Sequence, residues 1–595
     1  MLRLDSTKRA LGLAAALLAA TSAAAQGSAR IPLNDLGTGF YGGFQGGLYP
    51  GGSNAPPTAH LAAALVRAGQ IVPRDAAGAE DSDGFIAMVA IGMSNTTHEF
   101  AVFERNEDAN ASRNARVVLI DTALGGQDAS IVADPTAAYW TVLAQRLAAL
   151  GLTGAQVQVA WLKEAEAQPP NDFPGHALAL RDNLATIARN LHDKFPNLKL
   201  CYVSSRIYGG YATGSLNPEP QAYESGFSVK WLIEDQIGGD ASMSYGQVGP
   251  ARAPLLLWGP YLWADGTHPR SDGLVWRRED LEGDGTHPSA SGEAKVASLL
   301  SAFFAADVTA RPWWPARGDS RLFSIDALRD AHVLSSEPAR NFGSTPQLLA
   351  RGGASIAEAF LAFDLGAAPR PVALAKLGLR VLQAGGGEVG LVADASWGET
   401  TITWNDAPAI GPRVALLPQS SRDGTIGADA TGAVNADADG LVSFALRAPG
   451  SAQASYSSRE GGQPPRLTLV VACPVDGDGD GVGDACDCAP GDPAAFAPPA
   501  EVRDLRFAAA ATLVWSSAAP GTGSSTVHDV LAGELEELAL PGARAGDVCL
   551  AHDLAGSTLV DPTLAPAPGK ARFFLVRGRN VCGEGGWGVT SDACP

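Results

Sequence analysis

The chain has 595 residues and a formal net charge of −20, with 46% hydrophobic and 18% charged residues. One hydrophobic core does not grow to this length, so several domains are expected. The negative charge excludes nucleic acid and anionic membrane surfaces as partners, because binding to phosphate needs clustered Lys and Arg.

The N-terminus has the pattern of a secretory signal peptide over residues 1–25. Arg3, Lys8 and Arg9 flank the start of an apolar stretch, and Ala23-Ala24-Ala25 fits a cleavage site. No later apolar run reaches the about 18 residues that span a bilayer. We therefore expect a secreted, extracellular protein without a transmembrane segment, and its Ala- and Gly-rich composition is associated with a bacterial source.

Residues 26–308 alternate between strand-like and helix-like patterns. Apolar runs that predict buried strands occur at 85–91, 117–121, 157–161, 198–205 and 254–258. Between them, residues 139–150 and 177–191 have apolar positions at helical spacing. This alternation predicts an α/β domain with a parallel sheet and helices on both faces.

The remainder of the chain is predicted to be all-β. Short β-type runs separated by turn residues indicate a sandwich over 318–471, followed by an Asp- and Cys-rich linker (472–499) and a smaller sandwich (500–595). All of the 7 cysteines except Cys201 lie after residue 471. Disulfides are expected there, and the sequence leaves their pairing open.

A candidate nucleophile and its partners lie at two distant points of the α/β domain. Ser94 comes just after strand 85–91, and ligands of open α/β sheets bind at the carboxyl ends of the strands. Asp284 precedes His287 by three residues, so one loop supplies a base and the carboxylate that orients it. The pattern predicts a serine hydrolase in which His287 takes the proton of the Ser94 hydroxyl.

Backbone N–H groups for a developing oxyanion are also predicted. A helix from about Asn95 directs its positive end at the site. The Gly125-Gly126 pair after strand 117–121 permits a second N–H to come close, because glycine allows tight approach.

Two alternatives stay open at this point. The pentapeptide Asp265-Gly266-Thr267-His268-Pro269 repeats the motif around His287, but only the later copy leads into a helix with an apolar stripe, so we favour Asp284 and His287. Ser94 is also a plausible helix cap. His98 is predicted to be a solvated histidine.

These residues resemble the SGNH or GDSL-like hydrolases, in the branch whose first block is Gly-X-Ser-Asn. The resemblance implies a three-layer, flavodoxin-like α/β fold with Ser94 as nucleophile, His287 as base and Asp284 as orienting acid. It implies that the N–H groups of Ser94 and Gly126 form the oxyanion hole. The third block of the family supplies an asparagine, which the sequence Val159-Ala160-Trp161-Leu162-Lys163-Glu164 lacks. Residues implied to line the substrate site are Asn95, Trp161 and Lys163.

Residues 318–471 resemble the DNRLRE-type β-sandwich, a relative of carbohydrate-binding modules. The matching segments are 341–344, 359–365, 397–405 and 456–460. The resemblance implies attachment to a polysaccharide or a cell surface. We expect Trp397 or Trp404 to pack in the core and not to form a sugar-stacking platform.

The linker has carboxylates at alternate positions of a glycine-rich loop, which is how a short segment builds an oxygen cage for Ca²⁺. The alternative is a flexible acidic linker. The segment resembles a thrombospondin type 3 repeat, and the segment after it resembles a fibronectin type III domain. The calcium is expected to be structural, with no cofactor in catalysis; its expected ligands are Asp476, Asp478, Asp480, Val482, Asp484 and Asp487.

Together these features predict a secreted SGNH-type esterase that deacetylates a polysaccharide or another carbohydrate ester through an acyl-enzyme. The alternative is a non-catalytic carbohydrate-binding or adhesion protein with a degenerate hydrolase domain. A lipid esterase is a third hypothesis, and no apolar lid segment is evident for it.

Overall fold

The computed structural model describes residues 30–587 except 170–171, 248, 367, 384, 451, 500–501, 503, 536–547 and 561–570. The predicted signal peptide lies outside the described residues. Among these residues, no helix combines the length and the apolar character needed to cross a membrane.

The first part of the chain is an α/β region. A two-stranded hairpin, β1 (Phe40–Tyr41) and β2 (Phe44–Gln45), precedes a parallel sheet. The strands of that sheet are β3 (Ile86–Gly92), β4 (Val117–Asp121), β5 (Val157–Lys163), β6 (Leu200–Val203) and β7 (Leu255–Trp258). Their order is β4-β3-β5-β6-β7, and all neighbours are parallel.

Helices cover both faces of this sheet. They are α1 (Leu33–Leu36), α2 (Thr58–Ala68), α3 (Ser94–Asp108), α4 (Ala129–Val132), α5 (Ala138–Ala149), α6 (Gly175–Lys194), α7 (Gln221–Ile237) and α8 (Ala290–Ala306). Successive side chains of β3 alternate between two apolar cores: Val89 packs with α5, α6 and α7, whereas Met88 packs with α2, α3 and α8. Because both faces are covered, every residue of β3 is buried, which explains its continuous apolar sequence.

The second part forms a β-sandwich. Its strands are β8 (Ser320–Asp326), β9 (Arg329–Leu334), β10 (Gln347–Arg351), β11 (Ala357–Asp364), β12 (Leu374–Arg380), β13 (Gly387–Val392), β14 (Ile410–Leu417), β15 (Thr425–Asp429), β16 (Leu441–Arg447), β17 (Gln453–Ser457) and β18 (Arg466–Ala472), with one short helix, α9 (Thr431–Ala436). One sheet has the order β14-β13-β16-β11-β10-β17, with β9 also paired to β11; the other has the order β15-β12-β18-β8. A shared core, to which Leu361 and Leu377 belong, lies between them.

Two further small sheets complete the described chain. Their strands are β19 (Arg506–Ala509), β20 (Thr512–Val514), β21 (Val527–Glu534), β22 (Val548–Leu554), β23 (Thr558–Val560), β24 (Arg572–Asn580) and β25 (Gly583–Glu584). The orders are β19-β20-β23 and β22-β21-β24-β25. The predicted organisation, an α/β region followed by several all-β sheets, is confirmed at this level.

The sandwich packs against the α/β region through buried charges. Nζ of Lys376, on β12, donates to Glu104 on α3, to Asp108 (2.9 Å) and to the carbonyl of Leu119 (2.9 Å). Burial raises the pKa of Glu104 to about 7. Burial alone lowers the pKa of Lys376, but Asp108 and Glu104 together raise it above its ordinary value, so the lysine stays charged.

We predict that Lys376→Met destabilises the protein by about 3–5 kcal/mol, because it leaves two buried carboxylates without their cation. Differential scanning calorimetry of the full chain measures the effect as a lower melting temperature. Arg340→Ala is the control: Arg340 pairs with Glu337 on the surface, and its loss should cost less than about 1 kcal/mol. Equal melting temperatures of Lys376→Met and Arg340→Ala would contradict the prediction.

Candidate active site

Ser94 lies where strand β3 passes directly into helix α3. It is the first residue of that helix and is half-buried. Gly92 makes the turn possible: a Cβ atom at this position would lie 2.4 Å from the carbonyl oxygen of Lys163 and 2.2 Å from Oγ1 of Thr96. Only glycine lets the end of β3 approach β5 this closely, and the turn presents Ser94 at the carboxyl edge of the sheet.

The structure brings Ser94, His287 and Asp284 into one chain of hydrogen bonds. Oγ of Ser94 lies 2.9 Å from Nε2 of His287, and Nδ1 of His287 lies 2.5 Å from Oδ2 of Asp284. The carboxylate only accepts, so Nδ1 carries the proton and, in the neutral imidazole, Nε2 accepts from the serine hydroxyl. This is the arrangement in which a histidine activates a serine.

The loop that carries His287 is held at several points. Oδ1 of Asp284 accepts the backbone N–H groups of Thr286 (2.9 Å) and His287 (3.0 Å), and the Asp284 carbonyl accepts the N–H of Thr213 (2.9 Å). Burial alone raises the pKa of Asp284, but the hydrogen bonds from Thr286 and His287 outweigh it and lower that pKa below its ordinary value. Asp284 is therefore ionised at neutral pH and able to stabilise an imidazolium.

The earlier copy of the motif does not make this contact. The side chain of His268 is 69% exposed, and its Nδ1 lies 3.6 Å from Asp265, the acid of its own loop. His287, the alternative favoured by the sequence, is the histidine bonded to Ser94.

His98 differs from the expectation of a solvated side chain. Its ring is buried and lies 5.5 Å from the ring of His287. Burial, reinforced by the positive charge of Arg380, lowers the pKa of His98 to about 3. His98 therefore stays neutral beside His287.

Backbone donors for an oxyanion lie beside Ser94. The N-terminus of α3 provides free N–H groups and its positive dipole end. Of the glycine pair, Gly125 is the one against the nucleophile, since a Cβ built on it would lie 3.6 Å from Cβ of Ser94. Within the described chain no atom lies within 4 Å of a Cβ built on Gly126. The assignment of Gly126 to the oxyanion hole stays a prediction, and the N–H of Gly125 donates to Oγ of Ser421.

Three residues implied to line the substrate site are buried, which corrects that expectation. Trp161 is 0% exposed, stacks on Phe100 and donates its indole N–H to Ser204. Asn95 donates to the carbonyl of Thr286, which ties the start of α3 to the His287 loop. Asn95 is 3% exposed, so its side chain, like that of Trp161, is occupied by contacts within the protein.

Lys163 belongs to the same correction. Its Nζ lies 2.6 and 2.5 Å from the two carboxylate oxygens of Glu99, and both side chains are buried. Burial lowers the pKa of Lys163 to about 8, and burial raises that of Glu99. Because Glu99 lies on α3 and Lys163 at the end of β5, the ion pair links the helix that begins with Ser94 to the sheet.

A loop of the sandwich, residues 418–424, also reaches the site. The N–H of Gly125 donates to Oγ of Ser421 (2.8 Å), and the Arg422 guanidinium lies 3.1 Å from Glu282 beside the His287 loop. The sequence carries no signal for this contact, because it joins residues 296 positions apart in different parts of the chain.

The aspartate-rich linker forms a compact acidic cluster. Asp476, Asp478 and Asp480 each offer one carboxylate oxygen, and these oxygens lie within 4.8 Å of one another. Buried Oδ2 atoms of Asp478, Asp480 and Asp487 have no hydrogen-bond partner within the described ranges. Burial, followed by the charges of its aspartate neighbours, raises the pKa of Asp487. Unpaired carboxylate oxygens around one point fit a hard divalent cation such as Ca²⁺.

Disulfides hold this linker at both ends. Cys473 is bonded to Cys486, across the acidic cluster, and Cys488 is bonded to Cys582 in the last described sheet. Cys201 is a free, buried thiol, and Cys594 lies outside the described residues.

Residues 322–471 match the model of carbohydrate-binding module family 96. The expected relative of carbohydrate-binding modules in this part of the chain is thereby confirmed. None of the curated protein sequences compared with the chain is significantly similar to it.

Several solved structures share a low similarity with the chain. Phospholipase A1 from Streptomyces albidoflavus is 10% identical, with 37% of this chain and 100% of that one covered and a TM-score of 0.20. An extracellular lipase from Streptomyces rimosus is 13% identical (37% and 99% covered, TM-score 0.19), and a carbohydrate acetylesterase from Xanthomonas citri is 12% identical (64% and 78% covered, TM-score 0.20). The function proposed below rests on the geometry of the site and not on these likenesses.

We predict that a fluorophosphonate probe modifies Ser94, because His287 raises the nucleophilicity of its hydroxyl. Mass spectrometry of the labelled, digested protein should place the adduct on the peptide that contains Ser94, and Ser94→Ala should abolish it. Ser130→Ala, which removes an exposed serine, should be labelled like the wild type. An adduct on another residue contradicts the prediction.

Proposed function

We propose that this protein is a secreted serine esterase of the SGNH type that deacetylates a polysaccharide or another carbohydrate ester through an acyl-enzyme. The observation that carries the proposal is the hydrogen-bond chain from Ser94 through His287 to Asp284. The α/β region of the protein has three layers, and Ser94 lies at the carboxyl end of β3. Both features support the proposed SGNH type.

The proposed reaction follows from this chain. Nε2 of His287 takes the proton of Ser94 as Oγ attacks the ester carbonyl carbon, and Asp284 stabilises the imidazolium. The N–H groups of Ser94, at the N-terminus of α3, and of Gly126 are proposed to donate to the oxyanion of the tetrahedral intermediate. His287 then protonates the departing alcohol, and water, deprotonated by His287, attacks the acyl-enzyme to release the acid and free Ser94.

Two observations support a carbohydrate substrate. Residues 322–471 match a carbohydrate-binding module family, and the sandwich that they form lies against the active site. Asp284 and His287 remain 44% and 22% exposed, so the site is open to a large substrate at the sheet edge. The proposed preference for acetyl esters rests on the sequence resemblance to the Gly-X-Ser-Asn branch of the SGNH hydrolases.

The acidic cluster is proposed to bind a structural Ca²⁺ in a thrombospondin type 3-like linker. Asp476, Asp478, Asp480 and Asp487 supply carboxylates; Asp484 and the carbonyl of Val482 complete the proposed ligand set. Residues 500–595 are proposed to form a fibronectin type III-like domain. The disulfides support secretion, because such bonds persist in oxidising compartments.

We predict that the wild-type protein hydrolyses a chromogenic acetyl ester and releases acetate from acetylated polysaccharides. Ser94→Ala and His287→Ala should each lower kcat by several orders of magnitude, since the members of such a triad act as a unit. His268→Ala is the matched control, because it changes the exposed histidine of the duplicated motif, and its kcat should equal that of the wild type. If all four proteins show the same background rates on both substrates, the non-catalytic carbohydrate-binding alternative replaces this proposal.

We predict that Ca²⁺ raises the melting temperature of chelator-treated protein, because a ligand that binds only the folded state stabilises it. Isothermal titration calorimetry should detect binding to the wild type and to Asp193→Ala, which changes an exposed aspartate on α6. Asp478→Ala should weaken binding at least about tenfold, since it removes a central carboxylate. Equal affinities of the wild type and Asp478→Ala contradict the site.

A further inference from the structure

The loop between β14 and β15, residues 418–424, places a sandwich residue at the acyl site of the α/β region. The N–H of Gly125 donates to Oγ of Ser421 at 2.8 Å. A Cβ built on Gly125 would lie 3.2 Å from that oxygen and 3.6 Å from Cβ of Ser94. Ser421 and Ser94 therefore both lie close to the same side of Gly125.

The loop is held rigidly against the end of strand β4. The buried guanidinium of Arg146 donates to the carbonyl of Gln419 (3.1 and 3.0 Å), and also to the carbonyls of Asp121 (2.7 Å) and Ala123 (2.9 Å). Asp121 in turn accepts the N–H of Thr425 (3.2 Å). One arginine thus fixes both the loop and the backbone that leads to Gly125.

Two hydrogen-bond donors for the oxyanion are affected. The asparagine that the resemblance to SGNH hydrolases implies is missing, and the N–H of Gly125 already has an acceptor. Strand β5 ends in Trp161-Leu162-Lys163-Glu164, without a carboxamide side chain. The N–H of Gly125 is used by Ser421. A hydroxyl accepts and donates at the same time, and the described residues offer the O–H of Ser421 no acceptor of its own.

We propose that Ser421 is a catalytic residue that the β-sandwich contributes to the esterase. Its hydroxyl, held by the Gly125 N–H, donates to the carbonyl oxygen of the scissile ester as that oxygen becomes an oxyanion. The hydroxyl forms no covalent bond and transfers no proton. This role rests on the proposed esterase function and makes the sandwich a part of the active site as well as a carbohydrate-binding module.

The test compares full-length variants on the chromogenic acetyl ester. Ser421→Ala should lower kcat about 10²-fold, the usual effect of removing one oxyanion donor, and leave KM within about threefold, because the hydrogen bond strengthens only in the transition state. Ser421→Thr retains a hydroxyl and should recover most of kcat. Ser420→Ala is the matched control: its buried hydroxyl has no hydrogen-bond partner in the described structure, and its kcat should equal that of the wild type.

The outcomes separate this inference from the function on which it rests. The first outcome is that the wild type is active, Ser94→Ala is inactive and Ser421→Ala has the kcat of the wild type. It overturns the role of Ser421 and leaves the esterase function standing. A faster Ser421→Ala also overturns that role, since the hydroxyl then competes with the substrate for Gly125. If the wild type equals Ser94→Ala, the esterase function and this role fail together. Should Ser421→Ala not fold, Ser421→Cys, which keeps the size with a weaker donor, must lose kcat relative to Ser421→Thr.

Discussion

Buried ion pairs between the sandwich and the α/β region hold the two helices next to the reactive residues. Lys376 binds Glu104 and Asp108 on α3, the helix that begins with Ser94. Arg380, four residues further along β12, makes two hydrogen bonds of 2.8 and 2.9 Å to Glu293 on α8, the helix that follows His287. Because strand β12 binds both α3 and α8, the distance between Ser94 and His287 depends on how the sandwich packs against the α/β region.

Burial at the contact between the sandwich and the α/β region also shifts the pKa values of side chains near the active site. Burial raises the pKa of Glu293 to about 7 against the opposing charge of Arg380, and burial lowers that of His98 to about 3. His98 is therefore neutral where a second positive charge would oppose an imidazolium at His287. Asp284 is more exposed and accepts hydrogen bonds from two backbone N–H groups, and its carboxylate contacts Nδ1 of His287.

Much of this arrangement could be predicted from the sequence because it depends on local pattern. Continuous apolar runs predicted strands at 117–121 and 157–161, and the structure has strands at Val117–Asp121 and Val157–Lys163. The spacing of Asp284 and His287 placed both in one loop. The burial of the side chains at the end of β5 could not be predicted. Trp161 and Lys163 lie on the strand face that packs against α3, and the sequence does not indicate which face of the strand a helix covers. The contact between Gly125 and Ser421 depends on how two domains pack, which no local pattern encodes.

Rapid-quench mass spectrometry of the full-length protein with an acetyl ester shows whether Ser94 forms the acyl-enzyme. We expect one added acetyl group, located on the peptide that contains Ser94, which appears before the steady state and disappears as the ester is consumed. Turnover without any acetylated protein, or with the acetyl group on another residue, would show that Ser94 is not the nucleophile.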